Sequence, residues 1–305
     1  MSGADPVAAA SRPSLITPAF LSLALATLVF FIAAGIVLPI VPRFAERELR
    51  LSPAEVGIAI AVFAVASLVV RPLVGWSTDR YGRRPALIAG AAISVVALVL
   101  HLAASSLGLL VVARALFGAG EAAFLVAGLA AASDLAPAER RGEALSFFSL
   151  SLYLGLAIGP LIGEAALGFG SYPAVWLVAA AIAAAGLVFA WLMPETEPVG
   201  RPPEGVRLLH PAGIVPGILI FLGVFGMAGF LAFVPVYVDE VGLAASVPLG
   251  IYAGIVVVLR LVGARLPDRF GAVRLSGSAL VATAAGLAII GSVPTAIGLI
   301  VGTAT

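Results

Sequence analysis

The sequence contains no cysteine and no lysine, and it has only two histidines among its 305 residues. The absence of cysteine excludes disulfides and thiolate metal sites, and His101 and His210 are too far apart in the chain to suggest a metal site. A phosphate-binding P-loop requires a lysine, so an ATP-driven pump of that type is excluded. The remaining catalytic groups are carboxylates and hydroxyls, so we do not expect an enzyme. We also expect no cofactor and no metal.

Charged residues are scarce as well, at 11% of the chain, whereas a soluble domain carries about 25%. The net charge of +1 provides no basic surface for a nucleic acid. In contrast, 62% of the residues are hydrophobic, and charge-free stretches such as 14–42 and 165–194 exceed the roughly 20 residues that a helix needs to cross a bilayer. The composition therefore predicts an integral membrane protein, with the lipid bilayer as a partner.

Charge clusters and turns rich in Gly, Pro or Ser divide the apolar stretches into nine complete helices and a partial tenth. The predicted fold is an all-α helical bundle with helices at 17–41, 54–75, 86–104, 109–132, 144–168, 173–193, 212–237, 245–264, 274–291 and 295 onward. A segment rich in charge and proline predicts a linker. We therefore expect a six-helix bundle over 1–194, a cytoplasmic linker over 195–211 and a second bundle over 212–305.

The arginines predict the orientation of the helices, because arginine-rich loops stay in the cytoplasm. With the N-terminus inside, eleven of the 17 basic residues lie on the cytoplasmic side, and only Arg43, Arg47 and Arg50 lie outside. We therefore expect a multi-pass protein of the inner (plasma) membrane with a cytoplasmic N-terminus. Arg71 and Arg260 lie within helices near their ends, and we expect their side chains to reach the membrane surface rather than to line a gate.

A cluster of charges recurs in the two parts of the chain. The stretch from Gly75 to Arg84 packs an acid and three arginines between apolar runs, and hydrocarbon cannot hold such charges, so we predict a tight loop at the membrane surface. The segment from Asp268 to Gly271 repeats the pattern, with Asp268 standing 189 residues after Asp79. A duplicated bundle of membrane helices is typical of secondary transporters. The repeat also predicts a second half about 77 residues longer, so we expect a truncated chain.

Three motifs in the first part carry a resemblance to a known family. The pattern Gly-x-x-x-Asp-Arg-x-Gly-Arg-Arg is met by Gly75, Asp79, Arg80, Gly82, Arg83 and Arg84. The pattern Arg-x-x-x-Gly-x-Gly in the fourth predicted helix is met by Arg114, Gly118 and Gly120. The pattern Gly-x-x-x-Gly-Pro-x-x-Gly-Gly in the fifth is met by Gly155, Gly159, Pro160 and Gly163, with Glu164 in place of the last glycine. With these motifs the chain resembles the major facilitator superfamily, and within it the proton-coupled drug and metabolite exporters.

The resemblance implies secondary transport by alternating access, in which two helical bundles rock about a central cavity. The exporter motif in the fifth helix implies an antiporter that couples efflux of a small amphipathic molecule to proton entry. The expected partners are the substrate, protons and the bilayer, and the expected state is a monomer. Two alternatives remain open: a proton-coupled importer of a sugar or organic anion, and a membrane sensor or binding protein that uses the fold without transport.

Glu121 is the expected proton carrier, because it lies near the middle of its helix. Burial there favours the neutral carboxyl, and a nearby arginine favours the charged one. Arg114 precedes it by seven residues, about 10 Å along the helix axis, so we expect it to act as an electrostatic tuner and not as a direct partner. A static pairing of Glu121 between helices is the alternative. Glu164 remains open between a second protonation site and an interfacial carboxylate.

The Asp79 loop is the expected inner gate, in which the carboxylate and the arginines form bonds that hold one state and break in the other. Asp134 is a candidate partner for Arg83 or Arg84. The corresponding gate of the second half is expected at Asp268, Arg269 and Gly271. The alternative is that these charges only end helices and set the topology.

The glycines of the fifth predicted helix recur at intervals of four residues and form one face. Small residues at that spacing let two helices approach closely, and Pro160 bends the helix. We expect this face to seal the protein against leak, with ordinary close packing as the alternative. Four aromatic residues are expected to face lipid or the membrane interface, namely Phe147, Phe148, Trp176 and Trp191.

Overall fold

The computed structural model of the chain describes residues 15–196, 214–263 and 270–305. All regular structure in these ranges is helical, which confirms the all-α prediction. The helices are α1 (Pro18–Arg47), α2 (Pro53–Tyr81), α3 (Arg83–Leu100), α4 (Leu107–Asp134), α5 (Arg141–Gly168), α6 (Tyr172–Leu192), α7 (Ile214–Val241), α8 (Ser246–Gly263), α9 (Ala272–Ser292) and α10 (Ala296–Ala304). Eight helices within the described ranges are long and apolar enough to cross a membrane.

Each predicted helix overlaps one observed helix, and the largest differences lie where charged residues end an apolar stretch. The apolar pattern predicts that α1 ends at 41 and α2 at 75, whereas these helices continue to Arg47 and Tyr81. A helix is held by its own backbone hydrogen bonds, so it continues where the side chains become polar. The charged residues of these two segments therefore lie on the last turns of helices.

Hydroxyl side chains define several helix starts. Thr17, Ser106, Ser171 and Thr295 each lie one residue before a helix and accept a hydrogen bond from the backbone N–H three residues later. This contact satisfies one of the four N–H groups that a helix start leaves without a partner. Three of these caps lie in or next to turns that separate predicted helices, and Thr17 lies at the start of the first helix.

The first six helices pack around one apolar core, and α1 is the most deeply buried of them. α1 contacts both α5 and α6 over long stretches, while α4 contacts α2 and α3. Phe30 of α1 stacks on Phe124 of α4, with ring centroids 4.1 Å apart, and so connects these two groups of helices. The central position of α1 means that residues on its different faces can contact both sides of the bundle.

The glycines of α5 face α1 at very short range. A Cβ added to Gly159 would lie 2.5 Å from the carbonyl oxygen of Ile32, and one added to Gly155 would lie 2.7 Å from that of Leu28. Gly35 of α1 contributes the facing small residue, since its own added Cβ would lie 3.1 Å from the Gly155 carbonyl oxygen. Backbone therefore meets backbone along this interface, and no side chain fits between the two helices.

The aromatic residues divide between two environments, and the prediction that all of them face lipid or the interface is wrong. Phe147 and Trp191 are exposed, at 40% and 61%, as expected for such positions. Phe148 and Trp176 are each 1% exposed and belong to the core. Successive residues on a helix point about 100° apart. Phe147 and Phe148 therefore lie on different faces of α5, and residue type alone does not distinguish them.

Helices α7 to α10 contact the first six helices mainly through the pairs α1–α7 and α5–α8. Short connections make consecutive helices antiparallel, so α2, α4 and α6 end at the same end of the bundle, which we name the linker end. α1 and α5 end at the opposite end, which we name the distal end. α7 also ends there, because Asp239 near its end pairs with Arg47 of α1. An apolar cluster that includes Val234, Val238 and Leu249 packs against Leu38 and Leu161 in the distal part of the bundle.

Replacement of Gly159 by alanine is expected to destabilise the protein, because the added Cβ would meet the backbone of α1. Overpacking of this kind costs about 1–3 kcal/mol. Gly142→Ala on the same helix is the matched control, since no atom lies within 4 Å of its added Cβ. Thermal unfolding in detergent should show a lower Tm for Gly159→Ala and not for Gly142→Ala. Equal Tm values would contradict the observed packing of α1 on α5.

Candidate functional site

Glu121 lies at the middle of α4, and its carboxylate faces α2. Only 9% of the side chain is exposed. Oε2 accepts a hydrogen bond from Ser67 Oγ at 2.8 Å and lies 3.9 Å from Nη2 of Arg71. Both partners lie on α2, four residues apart and hence on one face of that helix. The site therefore combines a buried carboxylate with a hydroxyl donor and a guanidinium that is about half exposed.

The position of Arg71 predicts a side chain that reaches the membrane surface, and the structure corrects this prediction. Its guanidinium instead approaches Glu121 in the middle of the neighbouring helix. Ser67 is a site residue that the sequence analysis misses. A signal for it exists, because Ser67 is the one hydroxyl in the charge-free stretch 56–70 and precedes Arg71 by one helical turn.

Arg114 is buried between α4 and α2 and makes no ion pair with an acid of the described residues. Its Nε donates to the backbone oxygen of Ala59 at 3.2 Å, and its guanidinium carbon lies 4.7 Å from the centroid of the Phe63 ring. The guanidinium is therefore held by a carbonyl and by a cation–π contact. Glu121 contacts α2 at Ser67 and Arg71, so Arg114 and Glu121 use different partners on the same neighbouring helix.

At the linker end, Arg83 is the centre of an ion cluster. Its side chain is 8% exposed, and Nε donates to Oδ2 of Asp134 at 2.7 Å. Nη1 donates to Oδ1 of Asp79 at 3.1 Å and to the backbone oxygen of Thr78 at 2.9 Å. Asp134 is only 12% exposed, whereas Asp79 is 51% exposed. The structure thus brings Asp134 to Arg83 rather than to Arg84.

The stretch predicted as a tight loop is helical, and this prediction is corrected. α2 continues through Asp79 to Tyr81, and α3 begins at Arg83, so only Gly82 lies between the helices. Gly82 has a φ of +99°, a conformation that glycine adopts without steric cost. Charged side chains must lie outside the hydrocarbon, and a helix end can place them there as well as a loop can. Gly75 lies within α2, with no atom within 4 Å of an added Cβ.

Glu195, in the segment after α6, caps the start of α3 and is a second residue that the sequence analysis misses. Its Oε1 accepts hydrogen bonds from the backbone N–H groups of Arg83 at 2.8 Å and Arg84 at 3.2 Å. The carboxylate also approaches so closely that a Cβ on Gly82 would lie 2.6 Å from it. A negative charge at a helix N-terminus is stabilised by the helix dipole and by unpaired N–H groups. The segment that leads into the linker is thus attached to the α2–α3 junction.

The other two arginines of the motif contact aromatic rings rather than acids. Arg84 Nη2 donates to the backbone oxygen of Trp191 at 2.8 Å, and its guanidinium carbon lies 5.4 Å from the Trp191 ring centroid. The guanidinium carbon of Arg80 lies 5.5 Å from the centroid of Trp76. These contacts fix arginines next to exposed indole rings at the linker end.

Glu164 lies near the distal end of α5 in close contact with Arg43 of α1. Nη1 of Arg43 donates to both carboxylate oxygens of Glu164 at 2.8 Å. The two side chains are 7% and 15% exposed, so the pair is largely shielded from water. The two roles considered for Glu164 are a second protonation site and an interfacial carboxylate. Neither includes Arg43 as a partner, since the sequence predicts only that Arg43 lies on the outer side.

The second-half cluster lies mostly outside the described residues, which include neither Asp268 nor Arg269. Gly271 is described, immediately before α9, with a φ of +82°. Gly82 occupies the same position before α3 and has the same sign of φ. Within the described ranges, no group of His, Asp and Glu side chains is arranged to hold a metal ion.

Known proteins share both sequence and fold with this chain. The family model described as Major Facilitator Superfamily matches residues 23–305. A protein of Salmonella typhimurium (strain LT2) described as an uncharacterized MFS-type transporter is 29% identical over 206 residues. The match covers 64% of this chain and 51% of that protein, so this chain spans about half the length of that curated relative.

Two solved structures share the fold. The crystal structure of the human organic anion transporter MFSD10 (TETRAN) matches with a TM-score of 0.64 and 17% identity, covering 96% of this chain and 83% of that one. A bacterial homolog of the human lysosomal transporter Spinster, in an inward-facing and unoccupied conformation, matches with a TM-score of 0.68 and 20% identity. That match covers 94% of this chain and 71% of the other. At these identities the similarity concerns the fold alone.

Replacing Asp134 by asparagine is expected to destabilise the protein more than replacing Asp79. Asp134 and Arg83 are both largely buried, and loss of one partner from a buried ion pair costs about 3–5 kcal/mol. Asp79 is half-exposed, where an ion pair is worth about 0–1 kcal/mol. Thermal unfolding of Asp134→Asn and Asp79→Asn in detergent gives the comparison, and a larger decrease in Tm for Asp79→Asn would refute the ranking.

Proposed function

This chain belongs to the major facilitator superfamily, and from that premise we propose that it is a secondary active transporter that works by alternating access. The direction that its fifth-helix motif supports is efflux of a small amphipathic molecule in exchange for protons. The division into two bundles at residues 1–194 and 212–305, joined by the linker, is part of this proposal. We also propose that it works as a monomer in the inner membrane, with the linker end and the N-terminus in the cytoplasm, as the arginine distribution favours.

The observation that carries the proposal is the buried carboxylate of Glu121 between Ser67 and Arg71. In its charged form the carboxylate is stabilised by the Ser67 hydroxyl and by the guanidinium 3.9 Å away. In its neutral form it no longer attracts Arg71, so one ion pair between α2 and α4 is lost. Intramembrane ionisable residues with such partners typically belong to ion or proton pathways. Proton binding would thus change the contact between two helices of the first bundle.

Arg114 contributes electrostatically to the same bundle. It lies on the α4 face that contacts α2, but its guanidinium is engaged by Ala59 and Phe63 and not by a carboxylate. Its positive charge favours the ionised form of an acid nearby without forming a bond that must break. In the proposed cycle Arg114 is the tuner and Glu121 the group that gains and loses the proton.

The linker-end cluster is the proposed inner gate of the first half. Arg83 is held on one side by the buried Asp134 and on the other by the exposed Asp79. Asp79 can therefore exchange its partner for water at small cost, whereas Asp134 keeps Arg83 compensated. Asp268, Arg269 and Gly271 are the proposed counterpart in the second half. The close approach of α5 to α1 at its glycines is the proposed seal, which stays intact while the bundles move.

A second candidate function is the import of an organic anion. The observation that favours it is Arg114, a buried cation that has no acid partner in the described part of the chain. The two functions differ in the direction of substrate movement relative to the proton gradient. Transport into inverted vesicles under an imposed gradient would support efflux, and transport out of them would support import.

Glu121→Gln is expected to abolish proton-driven transport, because the amide cannot gain or lose a proton at this site. Accumulation of a fluorescent amphipathic dye in inverted vesicles should decrease about tenfold or more under a proton gradient, while exchange without a gradient persists. Glu143→Gln is the control, since that carboxylate is exposed and pairs only with Arg140 three residues away in the described structure.

Unchanged gradient-driven uptake in Glu121→Gln would remove Glu121 from the mechanism. Loss of both gradient-driven uptake and exchange, with an unchanged Tm, would assign Glu121 to substrate binding instead of proton coupling. Loss in Glu143→Gln as well would show that the assay responds to any lost carboxylate.

A further inference from the structure

A second ion cluster lies at the distal end, where α1, α5 and α7 end. Arg43 is its centre and is 6% exposed. Besides its two bonds to Glu164, its Nε donates to the backbone oxygen of Pro235 at 2.7 Å. Its Nη2 lies 3.8 Å from Oδ1 of Asp239, and Oδ2 of Asp239 pairs with Arg47, one helical turn further along α1. We name these residues, Arg43, Arg47, Glu164, Pro235 and Asp239, the distal cluster.

The distal cluster connects the two halves of the chain. Arg43, Arg47 and Glu164 belong to α1 and α5, before the linker, whereas Pro235 and Asp239 belong to α7, after it. Arg43 is therefore bound on one side within its own half and on the other side across the interface. A guanidinium can do this because its five N–H donors lie in one plane and point in several directions.

Next to the distal cluster lies an apolar contact between the two halves, which we name the apolar seal. It is distinct from the glycine contact between α1 and α5. Val238 of α7 and Ala245, the residue before α8, are 0% and 5% exposed and belong to the apolar cluster between the halves. Leu38 of α1 and Leu161 of α5 pack against that cluster from the first half. Charged residues at the end of the bundle with apolar residues beside them are the arrangement of a closed end, since protein covers both the interface and Arg43.

The cluster is asymmetric although the chain is duplicated. Val41-Pro42-Arg43-Phe44 of α1 corresponds to Val234-Pro235-Val236-Tyr237 of α7, so valine stands at the position of Arg43 in the second half. Glu164, its acid within the first half, stands where the motif has glycine. The buried cation therefore has no counterpart at the corresponding position of α7.

The two acids around Arg43 differ in exposure, and this difference affects the cost of opening the distal end. Glu164 is 15% exposed and would stay with Arg43 if the two halves separated, because both lie in the first half. Asp239 and Arg47 are 45% and 50% exposed, so each can exchange its partner for water. Breaking a buried ion pair is expensive when it leaves a buried charge without a partner. Separation of the halves leaves no such charge, because Glu164 stays with Arg43.

From this geometry we propose that the distal cluster is a releasable lock that holds the distal end closed, with Asp239 as the part that detaches and Glu164 as the anchor that keeps Arg43 in place. The inference rests on the proposed transport function, because alternating access requires this end to open. Glu164 is then a positioning residue for Arg43 and not a second proton carrier.

The natural absence of cysteine makes a direct test possible, because a single introduced thiol reports alone. Ala245→Cys places a small thiol in the apolar seal, and its reaction with a membrane-impermeant maleimide measures opening of the distal end. We expect slow labelling in the otherwise unchanged full-length protein and labelling about fivefold or more faster when Asp239→Asn is added. Arg47→Gln, which removes the other partner of Asp239, should increase the rate in the same direction.

Glu240→Gln is the matched control, since it removes one negative charge from the next residue of α7, which is exposed and has no ion pair in the described structure. Ser105→Cys, in an exposed turn at the distal end, reports access of the reagent.

Equal rates in Asp239→Asn, Glu240→Gln and the parent would overturn the lock. If Ser105→Cys is not labelled from outside, the proposed orientation is wrong, and the same comparison in detergent still decides the lock. A rate change without any dye transport would support the lock and count against the transport function.

Glu164→Gln separates the anchor from a proton carrier. As an anchor, its loss leaves Arg43 without any acid once the halves separate, so we expect a lower Tm together with slower labelling of Ala245→Cys. Asp239→Asn should accelerate labelling with a smaller decrease in Tm. An unchanged Tm and labelling rate in Glu164→Gln, with loss of gradient-driven uptake, would instead make Glu164 a proton site and overturn this part of the proposal.

Discussion

A charge that is buried among apolar helices must have a partner, because an unpaired buried ion costs several kcal/mol. At three places in the bundle a charged or hydroxyl side chain meets this requirement, and Arg114 meets it instead through the backbone oxygen of Ala59 and the ring of Phe63. Arg83 meets Asp134 at the linker end, Glu121 meets Ser67 and Arg71 at mid-depth, and Arg43 meets Glu164 at the distal end. Each partner lies on a different helix, so the same contacts that compensate the charges also determine which helices lie side by side.

The two end clusters share a design that follows from the same electrostatics. In each, a largely buried arginine has one shielded acid in its own half and one acid that is about half exposed. Asp134 and Asp79 have these roles around Arg83, and Glu164 and Asp239 have them around Arg43. The shielded acid keeps the arginine compensated, and the exposed acid can be released to water at small cost. They differ in that only Asp239 lies across the interface between the halves.

The helices could be predicted from the sequence, and parts of the sites could as well. The apolar stretches identify each helix, and the depth of Glu121 follows from its place in α4. Asp134 was predicted as a partner of Arg83 or Arg84, because all three lie at helix ends on the same side, and the structure pairs it with Arg83. Ser67, Glu195 and the pairing of Arg43 with Glu164 were not anticipated. The local sign for Ser67 is its place in a charge-free stretch one helical turn before Arg71. Glu195 and Arg43 carry no local sign of their partners.

By itself, the sequence determined the approximate ends of the helices in the described part of the chain, the scarcity of charges and their positions along each helix. These are local properties, because hydrophobic periodicity and helix length depend on neighbouring residues. Only the tertiary structure decided which charge meets which, since the partners stand 51, 121 and 192 residues apart in the contacts of Arg83, Glu164 and Pro235. It also decided which face of each helix is buried, because that depends on the neighbour that packs there. For this reason Phe147 faces outward while Phe148 fills the core.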